Sequence, residues 1–202
     1  RQPTDRVPVG PMMLDLGANP DCTAEHLVQF AVMGSVIAAD LHGVDRPRVA
    51  LLNIGEEDIK GTDEIREAHR RLAGAPINYR GFVEGDDIFS GDVDVVVTDG
   101  FTGNVSLKTM EGLARFIGSV MREEFTRSPL RKIGGLVAAP SLKALKSRLD
   151  PSAYNGASMV GLAGVVIKSH GGASRAAFAS AVRVAITEAR KGVPDQIGEL
   201  MA

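Results

Sequence analysis

The sequence predicts an α/β protein built on a mostly parallel sheet with helices on both faces. Short apolar runs alternate with stretches of helical period, and short turns join them. The run Val49 to Ile54 is apolar on both faces, as in a sheet covered by helices. Several of the runs end in turns rich in Gly and polar residues, where a strand hands over to a helix.

Met12-Met13-Leu14-Asp15-Leu16 reads as a first short strand, ending at Gly17-Ala18-Asn19-Pro20. A helix follows from Thr23, a natural N-cap, to Leu41, with Leu27, Phe30, Ala31, Gly34, Ile37 and Ala38 on one face. Val49 to Ile54 is a second strand, and Gly55-Glu56-Glu57-Asp58-Ile59-Lys60-Gly61 closes it. A polar helix from Thr62 to Leu72 leads to a third strand near Ile77 to Phe82, and Val93 to Val97 forms a fourth. The turn Thr98-Asp99-Gly100-Phe101-Thr102-Gly103-Asn104 then opens a long helix. Its first backbone N–H groups are expected to stand unpaired at the sheet's carboxyl edge, as an anion cradle. Gly164 to Lys168 reads as the last strand, running into Ser169-His170-Gly171-Gly172 and an alanine-rich helix.

The 202 residues are 44% hydrophobic and 24% charged, enough to bury a core, and are expected to form one α/β domain over 1–202. A net charge of −2 gives no bulk attraction to nucleic acid. One cysteine, Cys22, excludes an internal disulfide and fits a reducing compartment. No signal peptide is visible, and no apolar run approaches the roughly 20 residues that span a bilayer, so a cytoplasmic location is expected. The opening Arg1-Gln2-Pro3-Thr4 reads as the middle of a longer chain.

Between Arg127 and Leu149 stand Arg127, Arg131, Lys132, Lys143, Lys146 and Arg148 with no acidic residue, interleaved with leucines. The stretch 127–149 reads as a basic amphipathic helical hairpin, divided at Pro140. Such a segment suits an anionic lipid surface or an acidic partner protein, and equally a helix pair packed on the body.

If the loops at the strand ends converge, one crevice holds Lys60 and Lys168, the amides of Asn19, Asn104 and Asn155, and His170. Lysines, amides and helix N-termini without an acidic cluster favour a phosphate-type ligand gripped by protein donors alone, with no metal and no cofactor. Each residue also has a structural reading: Lys60 as a solvated loop lysine or paired with Glu56 and Glu57, His170 as a cap, Asn155-Gly156 as a turn. No side chain stands out as a nucleophile, so direct displacement is the expected chemistry.

Leu14-Asp15-Leu16-Gly17-Ala18-Asn19, Leu51-Leu52-Asn53-Ile54-Gly55-Glu56-Glu57, Lys60-Gly61, Asp99-Gly100-Phe101-Thr102-Gly103-Asn104, Tyr154-Asn155-Gly156-Ala157 and Ile167-Lys168-Ser169-His170-Gly171 together resemble the bacterial phosphate acyltransferase (PlsX) family. The resemblance runs from Leu14 to the C-terminus and lacks the family's N-terminal part. It implies a Rossmann-like fold related to phosphate acetyltransferases and isopropylmalate dehydrogenases. It also implies transfer of a long-chain fatty acyl group from acyl carrier protein to inorganic phosphate, for phospholipid synthesis. The partners so implied are acyl carrier protein, phosphate, a second copy in a homodimer and, peripherally, the inner face of the cell membrane.

Carried over by that resemblance, Lys60, Asn104 and His170 are the catalytic candidates. Asn19, Gly100, Thr102, Gly103, Asn155, Gly156, Lys168 and Ser169 are the substrate- or phosphate-binding candidates. Lys60 would bind phosphate, Asn104 and its turn would stabilise the oxyanion, and His170 would protonate the leaving thiolate. Rival readings are acyl transfer from coenzyme A, and a non-catalytic dimerisation and membrane-docking fragment.

Overall fold

The computed structural model describes residues 10–149 and 156–201, and among these the chain divides into two compact units. The first runs to Asn104 and takes in Val160–Val166 and the stretch from Ile186 on; the second holds Val105–Met159 and Ile167–Ala185.

The first unit is a four-stranded parallel sheet in the order β1-β4-β2-β3, with β1 at Met12–Leu14, β2 at Arg48–Leu52, β3 at Asn78–Val83 and β4 at Val95–Val97. Because side chains alternate across a strand, Val49, Leu51, Val95 and Val97 point to one face while Ala50, Leu52 and Val96 point to the other. The first face packs against α1 (Ala24–His42), α2 (Asp63–Leu72) and α6 (Val193–Met201) through Leu27, Ala31, Ile37, Leu72, Val193 and Ile197. The second face packs with Val83, Ile88 and Val93. The expected parallel α/β sheet is present.

Local chemistry explains the element ends. Thr23 caps α1 as expected: its hydroxyl accepts the His26 N–H, and the His26 ring accepts the Thr23 N–H. At the amino ends of β2 and β4, Asp94 accepts from the Arg48 backbone N–H and from two guanidinium nitrogens, fixing the two strands in register. Leu51 pairs with Phe82 although Val49 pairs with Tyr79, so β3 carries one extra residue as a bulge.

Helix α1 departs from expectation in one respect. Ala24–Leu41 is long and apolar enough, by length and composition, to cross a membrane; here more than half of that stretch is buried, against the sheet.

In the second unit, α3 (Gly100–Thr126) continues past Asn104 and is followed by α4 (Pro129–Leu149). The hairpin expected over 127–149 is corrected: Pro140 lies inside a single helix. Pro129 occupies the first turn, where a missing N–H costs nothing, and the Ser128 hydroxyl accepts the Arg131 N–H. Leu130, Ile133, Leu136 and Val137 of α4 stand exposed. The last strand is also shorter than expected: β6 is Ile167–Lys168, and it pairs antiparallel with β5 (Ala157–Ser158) in a separate sheet. A strand that short, exposed on alternate residues, gains little from a sheet interior. Helix α5 (Arg175–Lys191) follows it.

Candidate functional site

In a parallel sheet the loops that leave the carboxyl ends of the strands share one edge. In the first unit these are the loop after β1 with Asn19, the loop after β2 with Lys60, and the start of α3 with Gly100, Thr102, Gly103 and Asn104.

The loop after β1 is organised by Asp15, which is buried at 8% exposure. Its carboxylate accepts the backbone N–H groups of Gly17, Ala18 and Asn19 and the Asn19 side-chain amide, at 2.7 to 2.9 Å. Burial pushes the Asp15 carboxyl up, but these hydrogen bonds together outweigh it and hold the group below the ordinary carboxylate value.

The loop then sits directly on α3. The Gly100 N–H donates to the Asn19 carbonyl at 2.8 Å, and a Cβ on Gly103 would stand 1.8 Å from the Asp15 carbonyl oxygen. The Asn104 side chain lies against Gly17, its Cβ, Cγ and Oδ1 within 3.4 to 3.7 Å of the position a Gly17 Cβ would take. Asn19 and Asn104 are thus held on neighbouring pieces of backbone.

The expected row of unpaired N–H groups at the start of α3 is corrected. Gly100 donates to Asn19, Thr102 to the Asp99 carboxylate at 2.7 Å, and Gly103 to the Asp99 carbonyl at 3.0 Å. Asp99 caps the helix through its own side chain, which also accepts the Thr102 hydroxyl. An acidic N-cap fills the place where an anion would otherwise sit, so the exposed Asn104 side chain is the group α3 offers a ligand here.

Lys60 is exposed on the loop after β2. Among the described residues no carboxylate pairs with its ammonium, so the pairing with Glu56 or Glu57 weighed from the sequence does not occur. Its stem leans on buried Gly55, with Cγ 3.0 Å from the position a Cβ there would take. The result is an unneutralised cation at the edge that carries Asn19 and Asn104.

Lys168, Ser169 and His170 belong to the second unit, and so does Gly156, whose absent Cβ would meet the α5 backbone at Ala181 at 2.8 Å. His170 lines an open cleft of about 430 Å³ with Ser169, Ser174, Arg175 and Phe178. The Gly172 N–H donates to His170 Nδ1 at 3.1 Å, so the neutral ring carries its proton on Nε2. Asn155 lies outside the described residues.

Sequence reasoning missed Asp15, Asp99, Asn53 and Arg66, all of which shape these loops. A signal existed for the first two: Asp15-Leu16-Gly17-Ala18-Asn19 and Asp99-Gly100-Phe101-Thr102 each place an Asp at the head of a glycine-bearing turn, the pattern of an Asx turn or N-cap.

A family model described as "Fatty acid synthesis protein" matches residues 3–196. The chain is 57% identical over 189 residues to the phosphate acyltransferase of Methylococcus capsulatus, covering 94% of this chain and 56% of that protein. It is 57% identical over 187 residues to that of Alkalilimnicola ehrlichii, covering 93% and 55%. To that of Alcanivorax borkumensis it is 59% identical over 190 residues, covering 94% and 56%. The chain therefore spans little more than half the length of the curated relatives it matches. Matched by that model over nearly its whole length and close to these phosphate acyltransferases, the chain belongs to the fatty acid synthesis protein family.

Proposed function

We propose that the protein transfers a long-chain fatty acyl group from acyl carrier protein to inorganic phosphate, giving an acyl phosphate for phospholipid synthesis. The observation that carries this reading is the similarity, over more than nine-tenths of the chain, to relatives named phosphate acyltransferases. The unneutralised Lys60 and the exposed Asn104 on one sheet edge are compatible with it.

In this reading Lys60 holds the phosphate dianion, which is already a nucleophile and needs positioning more than deprotonation. A phosphate oxygen forms a bond to the thioester carbonyl carbon, and the Asn104 amide donates to the oxyanion of the tetrahedral intermediate. The C–S bond then breaks, and the electron pair leaves on sulfur. His170 meets that thiolate with the Nε2 proton as a hydrogen-bond donor, and solvent completes the protonation. Asn19, Gly100, Thr102, Gly103, Asn155, Gly156, Lys168 and Ser169 are the residues proposed to bind substrate or phosphate. Of these, Gly100 and Gly103 act through the close approach of backbones and not as N–H donors.

The exposed apolar and basic side chains of α4, Leu130, Ile133, Lys132 and Lys143 among them, are the proposed contact for the acidic carrier protein or for anionic lipid. A second copy of the chain in a homodimer and a cytoplasmic site, peripheral at the membrane, complete the proposal. Phosphate-dependent release of free thiol from palmitoyl carrier protein tests it. Release at equal rate from acetyl-coenzyme A would replace the long-chain donor with a short one.

A further inference from the structure

Lys60 is useful to an anion only if its loop holds one shape, and that shape is set from beneath. Asn53, at the end of β2, is 6% exposed. Its Nδ2 donates to the Gly55 carbonyl at 3.0 Å and to the Lys60 carbonyl at 3.3 Å, tying together the two ends of the loop. The Asn53 backbone N–H donates to Val83 in β3 at 3.0 Å, so the tie is anchored in the sheet.

From outside, Arg66 of α2 closes the remaining carbonyls: Nη1 donates to Gly61 at 2.6 Å and to Ile59 at 3.4 Å. The Lys60 N–H completes a turn onto the Glu57 carbonyl at 2.9 Å. The carbonyls of Gly55, Glu57, Ile59, Lys60 and Gly61 are thereby all held inside the loop.

The arrangement leaves one group without a partner. Among the described buried side-chain nitrogens and oxygens, Asn53 Oδ1 has no hydrogen bond. Turning the amide over would face that oxygen toward two carbonyl oxygens, so the orientation is fixed. A Cβ on Gly61 would stand 2.4 Å from Oδ1, and Gly61 has φ +85°, so only a Cα–H fits against it. An aliphatic side chain would remove this unsatisfied acceptor but would take from the Gly55 and Lys60 carbonyls the donor that Nδ2 gives them. What the amide supplies in return is the shape of the loop.

We infer that Asn53 and Arg66 are positioning residues that fix Lys60 for its anion. This rests on the reading of Lys60 as the phosphate-binding cation. Neither residue is assigned contact with phosphate; Asn53 acts through the Lys60 carbonyl, and Arg66 through the carbonyls of Ile59 and Gly61 on either side of Lys60.

The test is steady-state kinetics of the natural gene product with inorganic phosphate varied, using palmitoyl carrier protein as donor, for Asn53→Ala, Arg66→Ala, Lys60→Ala and the doubles with Lys60→Ala. Asn53→Ala and Arg66→Ala are expected to raise the phosphate KM, about tenfold for Asn53→Ala, by more than they lower kcat. In the Lys60→Ala background neither should raise it further. If Asn53→Ala does not fold, Arg66→Ala, an exposed-loop contact, decides alone. A raised phosphate KM in Lys60→Ala with none in the positioning variants overturns this inference and leaves Lys60 in its role. An unchanged phosphate KM in Lys60→Ala removes the role of Lys60 and the inference with it.

Discussion

Gly103 of α3 and Asp15 after β1 meet backbone to backbone, so closely that a single Cβ on Gly103 would stand 1.8 Å from the Asp15 carbonyl oxygen. Carbonyl oxygen cannot yield as the far end of a flexible side chain can. Gly103→Ala must therefore push the helix start off the β1 loop. We expect a loss of about 1–3 kcal/mol in urea denaturation, the usual scale for overpacking. Gly118→Ala, in the exposed part of the same helix with open space around it, should instead gain about 0.5–1 kcal/mol.

Asp15 makes the stability of this edge depend on acid. Its carboxyl lies below the ordinary 3.8 in the folded chain, so the folded state favours the charged form. Its contribution is therefore complete at pH values above the unfolded pKa and is lost as pH falls through the folded one. Asp15→Asn should cost about 1.5–3 kcal/mol at pH 7, since three backbone N–H groups lose a charged acceptor. Below pH 4 the gap between wild type and variant should narrow, as followed by urea midpoints across the pH range.

The chemistry orders the three catalytic candidates. Positioning phosphate and stabilising the oxyanion carry most of the acceleration, while a thiolate leaves readily without help. Lys60→Ala and Asn104→Ala should each lower turnover by about 10²-fold or more, and His170→Ala by less. An equal or greater loss at His170 in steady-state assays reverses that order.

The exposed lysines of α4 address the partner. Lys132→Glu with Lys143→Glu should raise the KM for the carrier protein severalfold, and more at low salt than at high. If the KM holds while binding to anionic vesicles falls, lipid is what this helix meets.

Much of this architecture is legible in the residues. The buried strands announce themselves because Val49 to Leu52 and Val95 to Val97 are apolar on both faces, and Thr23 announces the start of α1 because few residues cap so well. Pro140 misleads because a proline inside a helix removes one hydrogen bond without ending it when the turns on either side continue. The α3 turn misleads for another reason. Glycine and asparagine signal a place where backbone N–H groups could be free, but whether Asp99 and Asn19 take them up depends on contacts that only three dimensions reveal. Asn53 is hidden in the same way: within an apolar strand it reads as an interruption, and its tie to Gly55 and Lys60 appears only when the loop closes over it.

The central claim is that this chain carries a cation which grips phosphate for attack on a thioester. It is tested most directly by following free thiol and acyl phosphate together, with palmitoyl carrier protein as donor and phosphate titrated, in the natural gene product and in Lys60→Ala. Thiol and acyl phosphate should appear in equal amounts, both should saturate with phosphate, and Lys60→Ala should move saturation to higher phosphate. Thiol release that continues unchanged without phosphate, or with no acyl phosphate formed, contradicts the claim.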